Sequence, residues 1–137
     1  MRHLVEQAGL SGRIGVDSAG TGAWHAGEPP DKRSIEVARR KGVSLAGQRA
    51  RQVSDADYFD CDLLLAMDQS NQSTLLRGAP DQGCRARIEL LLAPPRGDGG
   101  EVPDPYYGGD GGFDHVYDLV FSACQTLLEQ LGEELEK

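Results

Sequence analysis

Three short apolar runs constrain the fold of this chain more than any other feature. Arg13–Asp17, Leu63–Met67 and Ile88–Leu92 are each bounded by polar or Gly/Pro-rich sequence and read as β-strands. Helical signals lie between and after them. Asp31 stands as an N-cap before a helix over Lys32–Lys41, and Gly42 is placed to end that helix in a left-handed cap. Ser54-Asp55-Ala56-Asp57 has capping-box spacing and introduces a short helical turn, and a further helix runs from Gln69 to Leu76. From Asp114 to Leu135 the apolar positions Val116, Leu119, Val120, Ala123, Leu127, Leu131 and Leu135 recur at spacings of three and four. That is one face of an amphipathic helix, fit to cover one side of a sheet. Strands alternating with helices predict an α/β fold: a single domain, a mainly parallel sheet with flanking helices, and ligands at the carboxyl ends of the strands. Three loops are singled out by that rule: Ser18-Ala19-Gly20-Thr21 with Trp24, then Asp68-Gln69-Ser70-Asn71, and the loop through Asp104.

The chain has 137 residues, one domain's worth, so residues 1–137 are expected to share a single core. No apolar run approaches the roughly 20 residues that span a bilayer, and Met1–Gln7 lacks the apolar region and cleavage site of a secretory signal. The expectation is a cytoplasmic protein with no membrane partner. Net charge is −8, unevenly spread: residues 1–52 hold 9 basic and 5 acidic side chains, residues 53–137 hold 5 and 17. An acidic chain with few aromatics lacks the basic face that a nucleic-acid backbone requires, so no nucleic-acid partner is expected.

Cys61, Cys84 and Cys124 form an odd set without a Cys-x-x-Cys pair, and His3, His25 and His115 lack ligand spacing. Reduced core thiols are predicted, with no disulfide framework and no metal. Arg2–Ala8 reads as a helix with Gly9 ready to end it, but nothing ahead of it can cap it, so it reads as the tail of a longer helix. Gly97-Asp98-Gly99-Gly100 reads as a flexible loop. Asp68, just after a strand, suits a helix N-cap as well as a site residue.

Asp104-Pro105-Tyr106-Tyr107-Gly108-Gly109 carries the most chemical information. Asp-Pro alone is a common turn, because Asp bonds nearby backbone and Pro fixes its own φ. Two adjacent tyrosines in a glycine-flanked loop add aromatic surface on which a planar ring can stack. An Asp beside such a platform can protonate a departing phenolate, whose pKa near 10 makes it a poor leaving group without a general acid.

The order Val16-Asp17-Ser18-Ala19-Gly20-Thr21, Trp24, Glu28-Pro29-Pro30-Asp31, Ala50-Arg51-Gln52, Ala66-Met67-Asp68 and Asp104–Gly109 resembles the low-molecular-weight protein tyrosine phosphatases over nearly the whole chain. The resemblance implies a cofactor-free hydrolase that acts on phosphotyrosine proteins or small aryl phosphates through a cysteinyl-phosphate intermediate. Asp104 would be the general acid, Trp24, Tyr106 and Tyr107 would line the pocket for the ring, and Ser18 would brace the phosphate loop.

The family's nucleophile opens a Cys-x5-Arg-Ser loop after its first strand, and none of the three cysteines here has that partner: Met67, Leu90 and Gln130 stand six positions after Cys61, Cys84 and Cys124. Set against the family, the chain resembles an amino-terminally truncated member without its first strand and nucleophile loop. The expectation is an inactive chain as given, with strand edges left open beside the absent strand. Two other classes fit parts of the pattern: a non-catalytic module that binds a phosphorylated or aromatic ligand through Trp24, Tyr106 and Tyr107, and a relative of the arsenate reductases. The cysteine placement gives the second no support, and paired tyrosines suit a phenolic substrate better than a small oxyanion.

Overall fold

Leu63–Ala66 (β1) and Arg87–Leu90 (β2) pair in parallel, with Leu63 opposite Arg87 and Ala66 opposite Leu90. The structure is a computed structural model that describes residues 1–22, 27–45, 47–80, 86–103 and 112–136. The chain also forms five helices among the described residues: α1 (Arg2–Gln7), α2 (Lys32–Arg40), α3 (Asp55–Asp60), α4 (Gln69–Gly78) and α5 (Gly112–Leu135). A parallel pair joined through a helix is the α/β arrangement that the alternating sequence pattern predicts. The contacts divide the chain into two compact units, one of Met1–Asp17, Pro30–Ala46 and Asp104–Lys137, the other of Ser18–Pro29 and Gly47–Pro103.

The second unit holds the sheet. Tyr58 of α3, Ala66 of β1 and Leu75 of α4 form its buried cluster, with Val53, Leu64, Ala79, Ile88 and Leu90 packed against them. Burial of one such large side chain contributes about 1.5–3 kcal/mol. The Tyr58 hydroxyl donates to the Leu75 carbonyl at 2.8 Å, which satisfies its polar end inside the cluster and ties α3 to α4. The starts of α3 and α4 each have a local cause. The Asp57 carboxylate accepts from the Ser54 N–H at 2.8 Å to complete the capping box of α3, and Asp68 Oδ1 accepts from the Asn71 N–H at 2.7 Å to cap α4.

In the first unit α5 packs against α1 and α2. Phe113, Ala123, Cys124 and Leu127 are buried on α5, as are Val37 and Ala38 on α2 and Leu4 and Val5 on α1. Asp31 Oδ1 accepts from the Arg33 N–H at 2.8 Å and caps α2, and Gly42, at φ +82°, follows its end in the left-handed region. The Arg39-Arg40-Lys41 run does more than face water. Arg39 pairs with Glu36, while Arg40 reaches Asp114 at 3.3 Å and Lys41 reaches Asp118 at 3.0 Å on the first turns of α5. Arg33 also lies 4.4 Å from the centroid of the Phe113 ring. No side chain caps α1.

The expected strand over Arg13–Asp17 does not form. The Arg13 and Ile14 N–H groups both donate to the Leu10 carbonyl at 2.9 Å, continuing a turn after α1, and the Val16 carbonyl accepts from the Arg2 side chain at 2.8 Å. A strand exists only where a neighbour takes its backbone groups, and here a turn and a guanidinium take them instead. The other boundaries shift by a few residues: β1 ends at Ala66, β2 starts at Arg87 and ends at Leu90, α4 extends to Gly78 and α5 begins at Gly112.

The half-buried ion pair of the second unit predicts an acid-sensitive term in stability. Both Arg51 Nη atoms reach the Asp57 carboxylate, at 3.0 and 2.9 Å. The Arg51 hydrogen bonds hold the Asp57 carboxyl below its ordinary range, and the Ser54 N–H helps. A carboxyl depressed in the folded state favours folding above its unfolded pKa, about 3.9, and that contribution is lost as pH falls through the lower folded value. Asp57→Asn should cost about 1.5–3 kcal/mol at pH 7 in urea denaturation. The gap between variant and parent should narrow as pH falls below about 4; an equal gap at pH 7 and pH 3 would remove the ion pair as its cause.

Candidate functional site

Two of the sequence strings meet inside the second unit. The Gly20 N–H donates to the Arg51 carbonyl at 2.8 Å and the Val53 N–H returns to the Gly20 carbonyl at 2.9 Å, a parallel bridge that centres on Gln52. Further along, the Gly27 N–H donates to the Ala50 carbonyl at 2.7 Å and the Ala50 N–H to the Glu28 carbonyl at 2.8 Å. The short stretch Ala50–Val53 thus takes both flanks of the segment that contains Trp24. Trp24 itself lies outside the described residues, as do Asp104, Tyr106, Tyr107 and Cys84. Ser18 is described and exposed, two residues before the Gly20 bridge.

Arg51 stands in the Ala-Arg-Gln string, where a phosphate ligand could be sought. Its guanidinium engages Asp57 through both terminal nitrogens, so it serves as the counter-ion of the α3 capping carboxylate. Asp68, equally suited by sequence to a cap or a site, is a cap: Oδ1 accepts from both the backbone N–H and the side-chain amide of Asn71 at 2.7 Å.

The stretch that leads into Asp104 is tied down, against the expectation of a flexible glycine loop. Arg96 is buried, with 8% of its surface exposed. Its Nε donates to the Leu91 carbonyl at 2.9 Å, and its Nη2 donates to the Leu90 carbonyl at 3.0 Å and to Glu89 Oε1 at 2.9 Å. The Gly99 N–H donates to the Leu92 carbonyl at 2.7 Å, and the Gly100 N–H to Asp98 Oδ1 at 2.9 Å. The Val102 N–H then donates to the Met67 carbonyl at 2.8 Å, beside the carboxyl end of β1, and Glu101 Oε2 accepts from the Gln69 N–H at the start of α4 at 2.7 Å. Single-sequence reading missed Arg96 and Glu101. Their only sequence signal is a charge on each side of a glycine cluster, which by itself says nothing of a partner.

Of the cysteines, Cys61 is half-buried and Cys124 buried, and neither is in a disulfide. Burial pushes the Cys124 thiol up, and the Met1 ammonium beside it opposes this only in part. A nucleophilic thiol needs the opposite shift. Cys124 lines a cavity of about 240 Å³ in the first unit together with apolar side chains such as Leu4, Val37, Phe113 and Val120. That lining has neither the converging N–H donors nor the arginine that a phosphate requires. Among the described residues no group of three His, Cys, Asp or Glu side chains could hold a metal ion, and no helix is long and apolar enough to cross a membrane.

The sequence model of the family described as low molecular weight phosphotyrosine protein phosphatase matches residues 1–137. A Synechocystis protein assigned to the low molecular weight protein-tyrosine-phosphatases is 42% identical over 98% of this chain and 86% of its own length. The Bacillus subtilis low molecular weight protein-tyrosine-phosphatase YfkJ is 40% identical over 97% of this chain and 84% of its own. Among solved structures, a protein tyrosine phosphatase from Entamoeba histolytica superposes with a TM-score of 0.86 at 32% identity, over 97% of this chain and 85% of that one. The crystal structure of YfkJ gives 0.85 at 39% identity, over 97% and 82%.

The thiol environment is directly testable. Cys124, buried and protonated, should react with a thiol-specific alkylating reagent at pH 8 about 100-fold more slowly in the folded chain than in denaturant. Mass spectrometry of the digest reads Cys61, Cys84 and Cys124 separately. Modification of Cys124 in the folded chain at the rate seen in denaturant would contradict its burial.

Proposed function

Because the chain belongs to the low molecular weight phosphotyrosine protein phosphatase family, we propose that residues 1–137 carry the acid and ring-binding side of a phosphotyrosine hydrolase site. In this reading Asp104 is the general acid, Trp24, Tyr106 and Tyr107 receive the substrate ring, and Ser18 supports the phosphate-binding loop. The substrate class is a phosphotyrosine protein or a small aryl phosphate, and no cofactor is required. Cys61 and Cys124, neither in a disulfide, suit a reducing compartment, the cytoplasm.

The observation that carries the reading is the string Asp104-Pro105-Tyr106-Tyr107-Gly108, which begins two residues after the Val102 anchor beside β1. The chemistry is a two-step phosphoryl transfer. A thiolate attacks phosphorus, the P–O bond to the ring breaks, and the Asp104 carboxyl gives its proton to the departing phenolate oxygen. The resulting Asp104 carboxylate then accepts a proton from the water that attacks the cysteinyl phosphate, which returns the thiolate and releases inorganic phosphate. The thiolate and the phosphate-binding arginine have no counterpart among residues 1–137, since no cysteine has an arginine six positions on. Cys124, with its raised pKa, cannot stand in for it. The family match gives no support to an arsenate reductase or to a purely non-catalytic binding module.

Purified residues 1–137 should give no detectable turnover of phenyl phosphate or p-nitrophenyl phosphate. Turnover that Asp104→Asn abolishes would show that a nucleophile has been overlooked. With a strand and Cys-x5-Arg-Ser loop of the family pattern joined ahead of Met1, phenyl phosphate should be hydrolysed. In that protein Asp104→Asn should lower kcat for phenyl phosphate by about 10²- to 10⁴-fold with KM nearly unchanged. The loss should be smaller for 2,4-dinitrophenyl phosphate, whose leaving group needs no proton. Equal losses on both substrates, or a change in KM alone, would take the acid role away from Asp104.

A further inference from the structure

We propose that the apolar cavity of the first unit is a binding site for a neutral, planar aromatic molecule of about two fused rings. Its walls come from α1, α2, the turn after α2 and α5, and none of these residues takes part in the chemistry assigned to Asp104.

The cavity exists because of how α5 meets its neighbours. Phe113, Val116, Tyr117, Val120, Phe121 and Cys124 all line it, spaced alternately three residues apart and adjacent, which places them on one face of the helix. Phe113 and Cys124, at the two ends of that stripe, are buried, while the four lining residues between them are only half-buried. Each end has a neighbour. Arg33 of α2 lies over the Phe113 ring, and the Met1 ammonium ahead of α1 bonds the Cys124 thiol. The middle of the stripe is not filled. Leu4, Val37 and Val43 stand across from it and leave a space of about 240 Å³. Packed interiors hold few voids larger than a water molecule, so a space of this size has room for a guest.

The chemistry of the lining selects the guest. Among the described residues that form it there is no Asp, Glu, Lys or Arg. Burial pushes up both the Cys124 thiol and the Tyr117 hydroxyl, which keeps them uncharged at neutral pH. A cation would find no carboxylate there, and the Met1 ammonium is already engaged with Cys124, so a charged ligand would lose its hydration without repayment. Water is a poor occupant too. It needs two to four polar partners, and an apolar cavity of roughly 150 Å³ stays dry and takes up benzene instead. The larger volume here has room for about one fused ring more. Planarity follows from the walls. The Tyr117 and Phe121 rings lie 5.7 Å apart and 18° from parallel, a flat aromatic surface against which another ring packs. A rigid ring also enters without the loss of rotamer freedom that a flexible chain of equal volume suffers.

Binding is read by ¹H–¹⁵N NMR of the chain 1–137 titrated with indole. The amides of Val37, Val43, Val116, Val120 and Cys124 should shift together, with a Kd of about 1 mM or tighter, while those of Leu64–Ala66 and Ile88–Leu90 stay in place. Tm should rise with indole concentration, since the unfolded chain has no cavity. Val120→Phe puts a ring into the space and should weaken binding about tenfold or more. Val116→Phe fills it from the preceding turn and serves as the second variant if Val120→Phe does not fold. Leu76→Ala trims an exposed leucine on α4 and should bind as the parent does. Indole-3-carboxylate should bind about tenfold more weakly than indole or worse. The proposal is overturned if indole near its solubility limit shifts none of the cavity amides, or if the sheet amides shift equally. It is also overturned if the folded filling variants bind like the parent, if the carboxylate binds as tightly as indole, or if the parent spectrum lacks the dispersion of a packed core.

Discussion

The parallel pairing of β1 and β2 is the constraint on which the second unit depends. With Ala66 opposite Leu90, both strands end at the same level, and the ladder runs one step further through the Leu91 N–H and the Ala66 carbonyl at 2.8 Å. The stretch from Leu91 to Val102 and the start of α4 are fastened to that common end. Arg96 takes the carbonyls of Leu90 and Leu91, Val102 takes the carbonyl of Met67, and α4 starts two residues beyond Met67. A different register would shift the pleat by one residue, turn Leu64 and Ile88 away from Tyr58 and Leu75, and remove the acceptors that this stretch uses. The apolar cluster and these anchors therefore stand or fall with one register.

Several of the described charged side chains are occupied with structure. Arg51 neutralises the carboxylate that caps α3, Arg96 satisfies the carbonyls after β2, and Arg40 and Lys41 hold the first turns of α5. A phosphate site makes the opposite demand: an arginine and several N–H donors left open toward one point, with a thiol whose pKa is lowered by them. Cys124 sits in the reverse environment, buried among apolar groups that favour the neutral thiol. The described residues supply scaffold, and no described thiol has the surroundings that a phosphate-binding thiolate needs.

Local signals in the sequence were dependable where the physics is local. Asp31 and Gly42 bound α2, the Ser54 and Asp57 pair starts α3, and the three-and-four spacing from Val116 onward gives α5, because a helix satisfies its backbone within a few residues and its caps lie adjacent in the chain. The strand expected at Arg13–Asp17 failed for the complementary reason. Ile14 and Val16 alternate correctly around Gly15, but a strand needs a neighbour, and a five-residue window cannot say whether one is present. Asp68 shows the middle case, in which the residue type allowed a cap or a site and only the Asn71 N–H at 2.7 Å decided between them.

The sequence by itself determined the α/β class and the family, because residue order and capping patterns are properties of the chain. Tertiary structure alone decided that Ala50–Val53 closes the base of the Trp24 segment, that Arg51 belongs to Asp57, and that a glycine-rich stretch is held by Arg96 and Glu101. Those contacts join groups whose attraction depends on distance and orientation in space. A glycine cluster flanked by an arginine and a glutamate reads as a loose loop until the carbonyls of β2 and the first N–H of α4 are brought to within 3 Å of them.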